Sequence, residues 1–244
     1  MAFAFIIPGQ GSQFVGMGKS LAEAFPSARE VFEEVDSALE QNLSDLMWNG
    51  PESDLTLTSN TQPALMACSL AAMQALDVEF GVKVTDAAYV AGHSLGEYSA
   101  LAAAKTLTIT DTAKLLRIRG EAMQASVPVG VGAMAALLGA NVEDAEAACL
   151  EGSKVGIVQM ANDNASGQIV LSGEKAAVEA AAQAARDAGV KKAMMLNVSA
   201  PFHCDLMQPA ADAMREALGE HTICLLYTSP SPRDLSTSRM PSSA

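Results

Sequence analysis

Positive charge is scarce in this chain. Fifteen Lys and Arg stand against 28 Asp and Glu, a formal net charge of −13 at pH 7, which argues against a nucleic acid or an anionic membrane as the main partner. Cysteine is scarce as well. Cys68, Cys149, Cys204 and Cys224 are scattered, without Cys-x-x-Cys pairs or Cys/His ligand spacing. They offer neither a disulfide framework nor a metal site, and suit a reducing cytoplasm. No apolar run is long enough to span a bilayer. The opening segment Met1–Pro8 lacks the basic start and long apolar stretch of a signal peptide, so it reads as a first strand. Only three histidines occur, His93, His203 and His221, so imidazole chemistry has few candidates.

What remains is an apolar, globular composition. Half of the 244 residues are hydrophobic and 18% are charged, enough for a sizeable core in one large domain or a domain with an insert. The informative stretch is Tyr89-Val90-Ala91-Gly92-His93-Ser94-Leu95-Gly96-Glu97-Tyr98. Tyr89–Ala91 reads as a short buried strand and Leu95–Lys105 as a helix. Gly-x-Ser-x-Gly alone is weak in a chain with 18 glycines. Between a strand and a helix it describes a nucleophile elbow with Ser94 at its tip. There the N–H of Leu95 points toward an oxyanion formed beside the serine, and the helix dipole favours that charge.

The rest reads as α/β. Phe3–Ile7 is a strand, followed by the glycine-rich loop Pro8-Gly9-Gln10-Gly11-Ser12-Gln13, which has neither a Walker nor a dinucleotide-binding spacing. It is either an ordinary turn or a site loop at the carboxyl end of a strand. Two helical patterns break near Pro26. Thr61 and Pro63 predict the start of a helix running through Ala64 to Phe80, ended by Gly81. A further helix spans about Asp111 to Gln124. Between residues 129 and 198 the pattern becomes strand Ala133–Leu138, helix Asn141–Leu150, strand Val155–Met160, a turn-rich loop Ala161–Gly167, strand Gln168–Ser172, helix Glu174–Ala188 and strand Lys192–Val198. This β-α-β-β-α-β order is that of a ferredoxin-like unit. A last helix runs from about Asp205 to Leu218. Domain limits are therefore drawn at 1–128 with 199–222 for a large α/β body and 129–198 for an inserted subdomain. The Ser/Pro-rich residues 223–244 carry no apolar period and are expected to be disordered and foreign to the fold.

A serine nucleophile needs a base. His93 precedes Ser94 and should pack beneath the turn, and His221 abuts the tail. His203, in a Pro-Phe-His turn, is then a candidate base or a structural histidine. No Asp or Glu stands out to orient it. Arg119, in Leu115-Leu116-Arg117-Ile118-Arg119-Gly120, is either a solvated helix charge or the fixed cation that a dicarboxylic acyl group would require.

Together, Pro8–Gln13, Gly92–Glu97, Arg119-Gly120 with Met123-Gln124, Asn162–Gly173 and Pro201-Phe202-His203 resemble the malonyl-CoA:acyl-carrier-protein transacylases of fatty acid synthesis, over residues 1 to about 220. The resemblance implies a hydrolase-like α/β body with a nucleophile elbow and an inserted ferredoxin-like subdomain, the site lying in the cleft between them. It implies Ser94 as acylated nucleophile, His203 as base, Arg119 on the malonyl carboxylate, and the N–H groups of Gln10 and Leu95 as oxyanion hole. Malonyl-CoA would be a substrate, no cofactor or metal would be needed, and acyl carrier protein would be the partner of a cytoplasmic, monomeric enzyme. Carriers are acidic, so Lys191 and Lys192 are the candidate docking cations. The family also has a C-terminal glutamine whose backbone carbonyl orients the histidine, and residues 223–244 are expected to replace that segment. The competing readings are a serine esterase or thioesterase, a polyketide-type acyltransferase with another extender group, and an inactive carrier-binding remnant.

Overall fold

The structure is a computed structural model and describes residues 2–128, 130–196, 198 and 200–220. His221, Cys224 and the Ser/Pro-rich segment at 223–244 lie outside the described residues. The chain forms two compact units. One reaches Glu121 and resumes at Arg215; the other is Ala122–Met214.

The first unit opens with β1 (Ala4–Ile7), followed by α1 (Lys19–Ala24), α2 (Pro26–Leu39), α3 (Leu43–Asn49), α4 (Glu52–Leu55) and α5 (Thr58–Phe80). Strand β2 (Tyr89–Gly92), α6 (Gly96–Ala103) and α7 (Ile109–Ser126) come next, the last continuing into the second unit. β1 and β2 are parallel, Ala4 opposite Tyr89 and Ile7 opposite Gly92. Helix α5 is apolar nearly all round and sits in the core, where Met66 and Leu70 meet Val31, Phe32 and Val35 of α2, Leu43 and Met47 of α3, and Leu116 of α7. The Phe32 and Trp48 rings pack edge to face at 5.7 Å. Gly81, at φ 68°, stops α5 with its N–H returned to Asp77 and Leu76.

Three expectations change here. Helix α5 begins at Thr58, with Leu57 at its cap and Pro63 inside it. Thr61 is thus no cap; its hydroxyl donates to the Leu55 carbonyl at 2.6 Å. Side-chain bonds of this kind hold the first turns where Pro63 lacks an N–H. Helices α3 and α4 had no counterpart in the sequence reading. Strand β2 is not buried: Tyr89 is 74% exposed, as is Ile6 of β1, because among the described residues the parallel sheet has only these two strands.

The second unit contains β3 (Gly132–Ala140), α8 (Val142–Gly152), β4 (Val158–Ala165), β5 (Gly167–Glu174), α9 (Lys175–Asp187), β6 (Lys192–Met195) and the first turns of α10 (Gln208–Gly219). The sheet order is β4-β5-β3-β6 and every pair is antiparallel. Alternation splits its side chains between two faces. Ala135, Leu137, Ile169 and Leu171 pack against Ala145, Ala148, Val178 and Ala181 of α8 and α9. On the other face Met134 and Val170 meet Met123, Val127, Phe202 and Met207.

The predicted loop Ala161–Gly167 is mostly strand. β4 extends to Ala165 through two register shifts, and Ser166-Gly167 forms a tight hairpin, Gly167 at φ 80°. At the two shifts the register skips Ala161 and Asn164, while Asn162 and Asp163 pair with Val170 and Ile169. Asn141 caps α8 through a reciprocal capping box. Asn141 Oδ1 accepts the Asp144 N–H at 2.8 Å, and Asp144 Oδ2 accepts the Asn141 N–H at 3.0 Å. Asn141→Ala should therefore cost about 1 kcal/mol, a melting temperature roughly 2–4 °C lower by circular dichroism. An unchanged Tm would show that the box contributes nothing.

Candidate active site

Ser94 lies between β2 and α6 with φ 53°, in the left-handed region. A non-glycine residue is held there only when its surroundings over-determine it. Two glycines allow the turn. A Cβ on Gly92 would stand 1.9 Å from the carbonyl of Gly96, and one on Gly96 would stand 2.6 Å from the Ile7 oxygen and 2.9 Å from that of Pro8. The loop after β1 is thereby pressed against the start of α6. His93 donates its N–H to Ile7 O at 3.0 Å, and its imidazole lies against Gly9, beneath the turn as expected. Leu95, 1% exposed, is the N-cap residue of α6. Neither the Leu95 nor the Gln10 N–H has a backbone acceptor among the described residues. The Gln10 amide donates to Thr58 Oγ1 at 3.3 Å, which ties the loop to the first turn of α5.

Arg119 of α7 is buried, with 5% of its surface exposed. Nη1 donates to Gln62 Oε1 at 2.8 Å and Nη2 to Ser94 Oγ at 3.2 Å. The guanidinium carbon is 5.8 Å from the centroid of the Tyr98 ring. α7 comes this close to α5 because residue 120 is glycine: a Cβ there would stand 2.6 Å from Ser59 Cα. Burial pushes the Arg119 pKa down, opposed by Tyr98 and Glu97. Burial pushes the Tyr98 hydroxyl up, partly offset by Arg119, so tyrosine remains a neutral partner. The hydrogen-bond partners of this buried guanidinium, Gln62, Ser94 and the Tyr98 hydroxyl, are uncharged, and Glu97 acts on it only through space, an unusual state for a desolvated cation.

Ser94, Leu95, Gln10 and Arg119 all belong to the first unit, and Ser94 and Arg119 are in contact. Sequence reasoning missed Gln62, which is 1% exposed and fixes the guanidinium. The signal was the polar run Thr58-Ser59-Asn60-Thr61-Gln62 opening a helix that is charged only at Asp77 and Glu79 near its end.

His203 belongs to the second unit and also has positive φ, 59°. Its turn is tightly held. Pro201 packs where a Cβ on Gly132 would otherwise stand, 2.3 Å from Pro201 Cγ. Phe202 is buried, and the Asp205 N–H donates to Gln159 Oε1 at 2.7 Å. Lys191 and Lys192 are exposed, the Lys191 stem lying along Gly139. Among the described residues no group of His, Cys, Asp and Glu could hold a metal ion, and no helix is long and apolar enough to cross a membrane.

These features have counterparts among known proteins. A family model described as "Acyl transferase domain" matches residues 4–244, and the chain belongs to that family. The malonyl CoA-acyl carrier protein transacylase of Bacillus subtilis (strain 168) is 47% identical over 216 residues, which are 88% of this chain and 67% of the relative. The acyl-carrier-protein-S-malonyltransferase of Bartonella henselae, solved by crystallography, is 56% identical with a TM-score of 0.88, over 91% of this chain and 71% of that one. A structure of a type II PKS acyl-carrier protein in complex with its malonyl-transacylase matches at 43% identity and TM-score 0.88, covering 92% and 72%. The chain is therefore an acyltransferase of mixed α/β architecture.

Cys68, Cys149 and Cys204 are free and half-buried. Burial pushes all three thiols up, Cys149 to about 11 with Glu146 adding to the effect. Thiolate is the reactive form, so alkylation of these three should be slow at pH 7 and accelerate as pH rises through 9. Peptide mapping after iodoacetamide treatment checks this, and rapid labelling at pH 7 would contradict it.

Proposed function

We propose that the chain transfers a malonyl group from malonyl-CoA to the phosphopantetheine thiol of an acyl carrier protein through a serine ester. The carrying observation is the buried Arg119 guanidinium, hydrogen-bonded to Ser94 Oγ and holding only neutral acceptors. A carboxylate at the far end of the acyl group supplies a directly bonded anion, in the two-pronged geometry that guanidinium favours. The names of the relatives, which are malonyl transacylases, agree with this chemistry.

The steps follow from the side chains. Ser94 Oγ attacks the thioester carbon while its proton passes to His203, the base in this reading. The tetrahedral oxyanion is met by the N–H groups of Leu95 and Gln10, whose lack of backbone acceptors leaves them available. The C–S bond breaks, and protonated His203 delivers the proton to the departing CoA thiolate. In the second half His203 takes the proton of the carrier thiol, the sulfur attacks the serine ester, and Ser94 recovers its proton as malonyl leaves on the carrier. No cofactor enters these steps.

The same reading makes the β2–Ser94–α6 turn a nucleophile elbow in a hydrolase-like body, and the β-α-β-β-α-β unit with order β4-β5-β3-β6 a ferredoxin-like insert. The body is 1–128 with 199–222 and the insert 129–198. The enzyme acts as a cytoplasmic monomer. A plain esterase would have no use for a buried cation beside its nucleophile.

Intact mass after mixing with malonyl-CoA should show a malonyl adduct that maps to Ser94 and is absent in Ser94→Ala. No adduct on the parent chain would overturn the reading. Arg119→Ala should lower the preference for malonyl over acetyl by at least about tenfold, since a charge-assisted pair is lost. Reversing charge at Lys191 and Lys192 should raise the KM for carrier and leave that for malonyl-CoA unchanged. The opposite pattern would remove these lysines from docking.

A further inference from the structure

We infer that Arg117 is a positioning residue that sets the acyl preference of this site without touching the acyl group. The inference rests on the transfer reading above, in which Arg119 receives the substrate carboxylate.

The first turns of α5 pose a packing problem. Thr58, Asn60, Thr61 and Gln62 are all polar and all buried, and each needs a partner to offset lost hydration. Leu57 at the cap brings no side-chain bond, and Pro63 lacks the N–H that the carbonyl four residues back would have accepted. Side chains hold the segment instead. Asn60 Nδ2 donates to the Asp54 carbonyl at 2.8 Å, and Thr61 Oγ1 bonds to Leu55. Asn60 Oδ1 accepts from Arg117 Nη1 at 2.8 Å and more loosely from the Gln41 amide at 3.4 Å. The other arm of Arg117, Nη2, donates to Gln41 Oε1. One guanidinium therefore clasps the turn after α2 to the opening of α5.

That opening carries the two contacts on which the site depends. Thr58 receives the Gln10 amide and Gln62 receives Arg119. Arg117 and Arg119 stand two residues apart on α7. One is anchored to Asn60 and the other to Gln62, also two apart on α5. Gly120 brings the helices into backbone contact beside them. A shift of Asn60 is thereby passed through the half-turn of backbone between them to Gln62, and from there to the guanidinium that meets the carboxylate. Burial lowers the Arg117 pKa and Glu121 opposes this; its hydrogen bonds go to the neutral Asn60 and Gln41 side chains.

The test compares initial rates of Ser94 acylation by malonyl-CoA and acetyl-CoA, read by intact mass, in the full chain. Arg117→Met keeps an apolar stem and removes all five donors. Its malonyl-to-acetyl ratio should fall about tenfold, through a higher half-saturating concentration of malonyl-CoA. Acetyl transfer should stay within about twofold. Arg117→Lys, which can reach only one acceptor at a time, should restore part of the ratio. Gln41→Ala should lower it about threefold, and this variant decides the matter if Arg117→Met fails to fold. A ratio unchanged in the folded Arg117 variant, or in Gln41→Ala where that variant decides, would overturn the inference. So would equal losses for both acyl groups, which mark a purely structural role. Arg119→Ala run in parallel separates the two claims: if it too leaves the ratio unchanged, the transfer reading fails, whereas a loss there alone removes only the role of Arg117.

Discussion

A buried guanidinium whose hydrogen bonds go only to neutral groups is the constraint around which the first unit is built. Removing such a charge from water is costly, and hydrogen bonds to neutral groups recover only part of the cost. Arg119 has Gln62, Ser94 and the Tyr98 ring. None of these carries a formal charge while the tyrosine is protonated, and burial raises the tyrosine pKa. Glu97 offsets part of the cost through space, and no carboxylate bonds the guanidinium directly among the described residues. On the proposed transfer reading, specificity for a dicarboxylic acyl group comes from the fold rather than from a flexible surface lysine.

Holding that cation explains features that otherwise look unrelated. Gly120 is required because α7 must approach α5 closely enough for Arg119 to reach Gln62. The polar opening of α5 is tolerated because each buried side chain there is bonded. The glycines flanking Ser94 let the loop after β1 press on α6, bringing Gln10 within reach of Thr58. Loop, serine turn and two helices thus converge through short polar contacts that hydrophobic packing alone would not specify.

Much of this was legible in the amino-acid order, for physical reasons. The strand-to-helix turn at Ser94 is written by glycines at positions 92 and 96. The capping box at Asn141 and the stop at Gly81 are local devices, readable from a few adjacent residues. The reading weakened where tertiary contacts decide. Thr61 before Pro63 resembled a cap until its hydroxyl proved to bond Leu55. The Asn/Asp-rich stretch after Met160 resembled a loop, yet pairing with β5 draws it into a bulged strand. Tyr89 looked buried because its ring is largely apolar, but among the described residues its strand has one neighbour and Tyr89 itself is exposed. Gln62 went unnoticed because its meaning lies 57 residues away, in Arg119.

The left-handed backbone at Ser94 also limits which side chains evolution can install there. At φ 53° a side chain branched at its β-carbon crowds its own peptide groups, whereas an unbranched one is tolerated at modest cost. Threonine, chemically the nearest alcohol, is therefore the poorest substitute at this position. A thiol on an unbranched cysteine would fit the same backbone, so the accessible mutational path from this hydroxyl leads toward sulfur rather than toward a second alcohol.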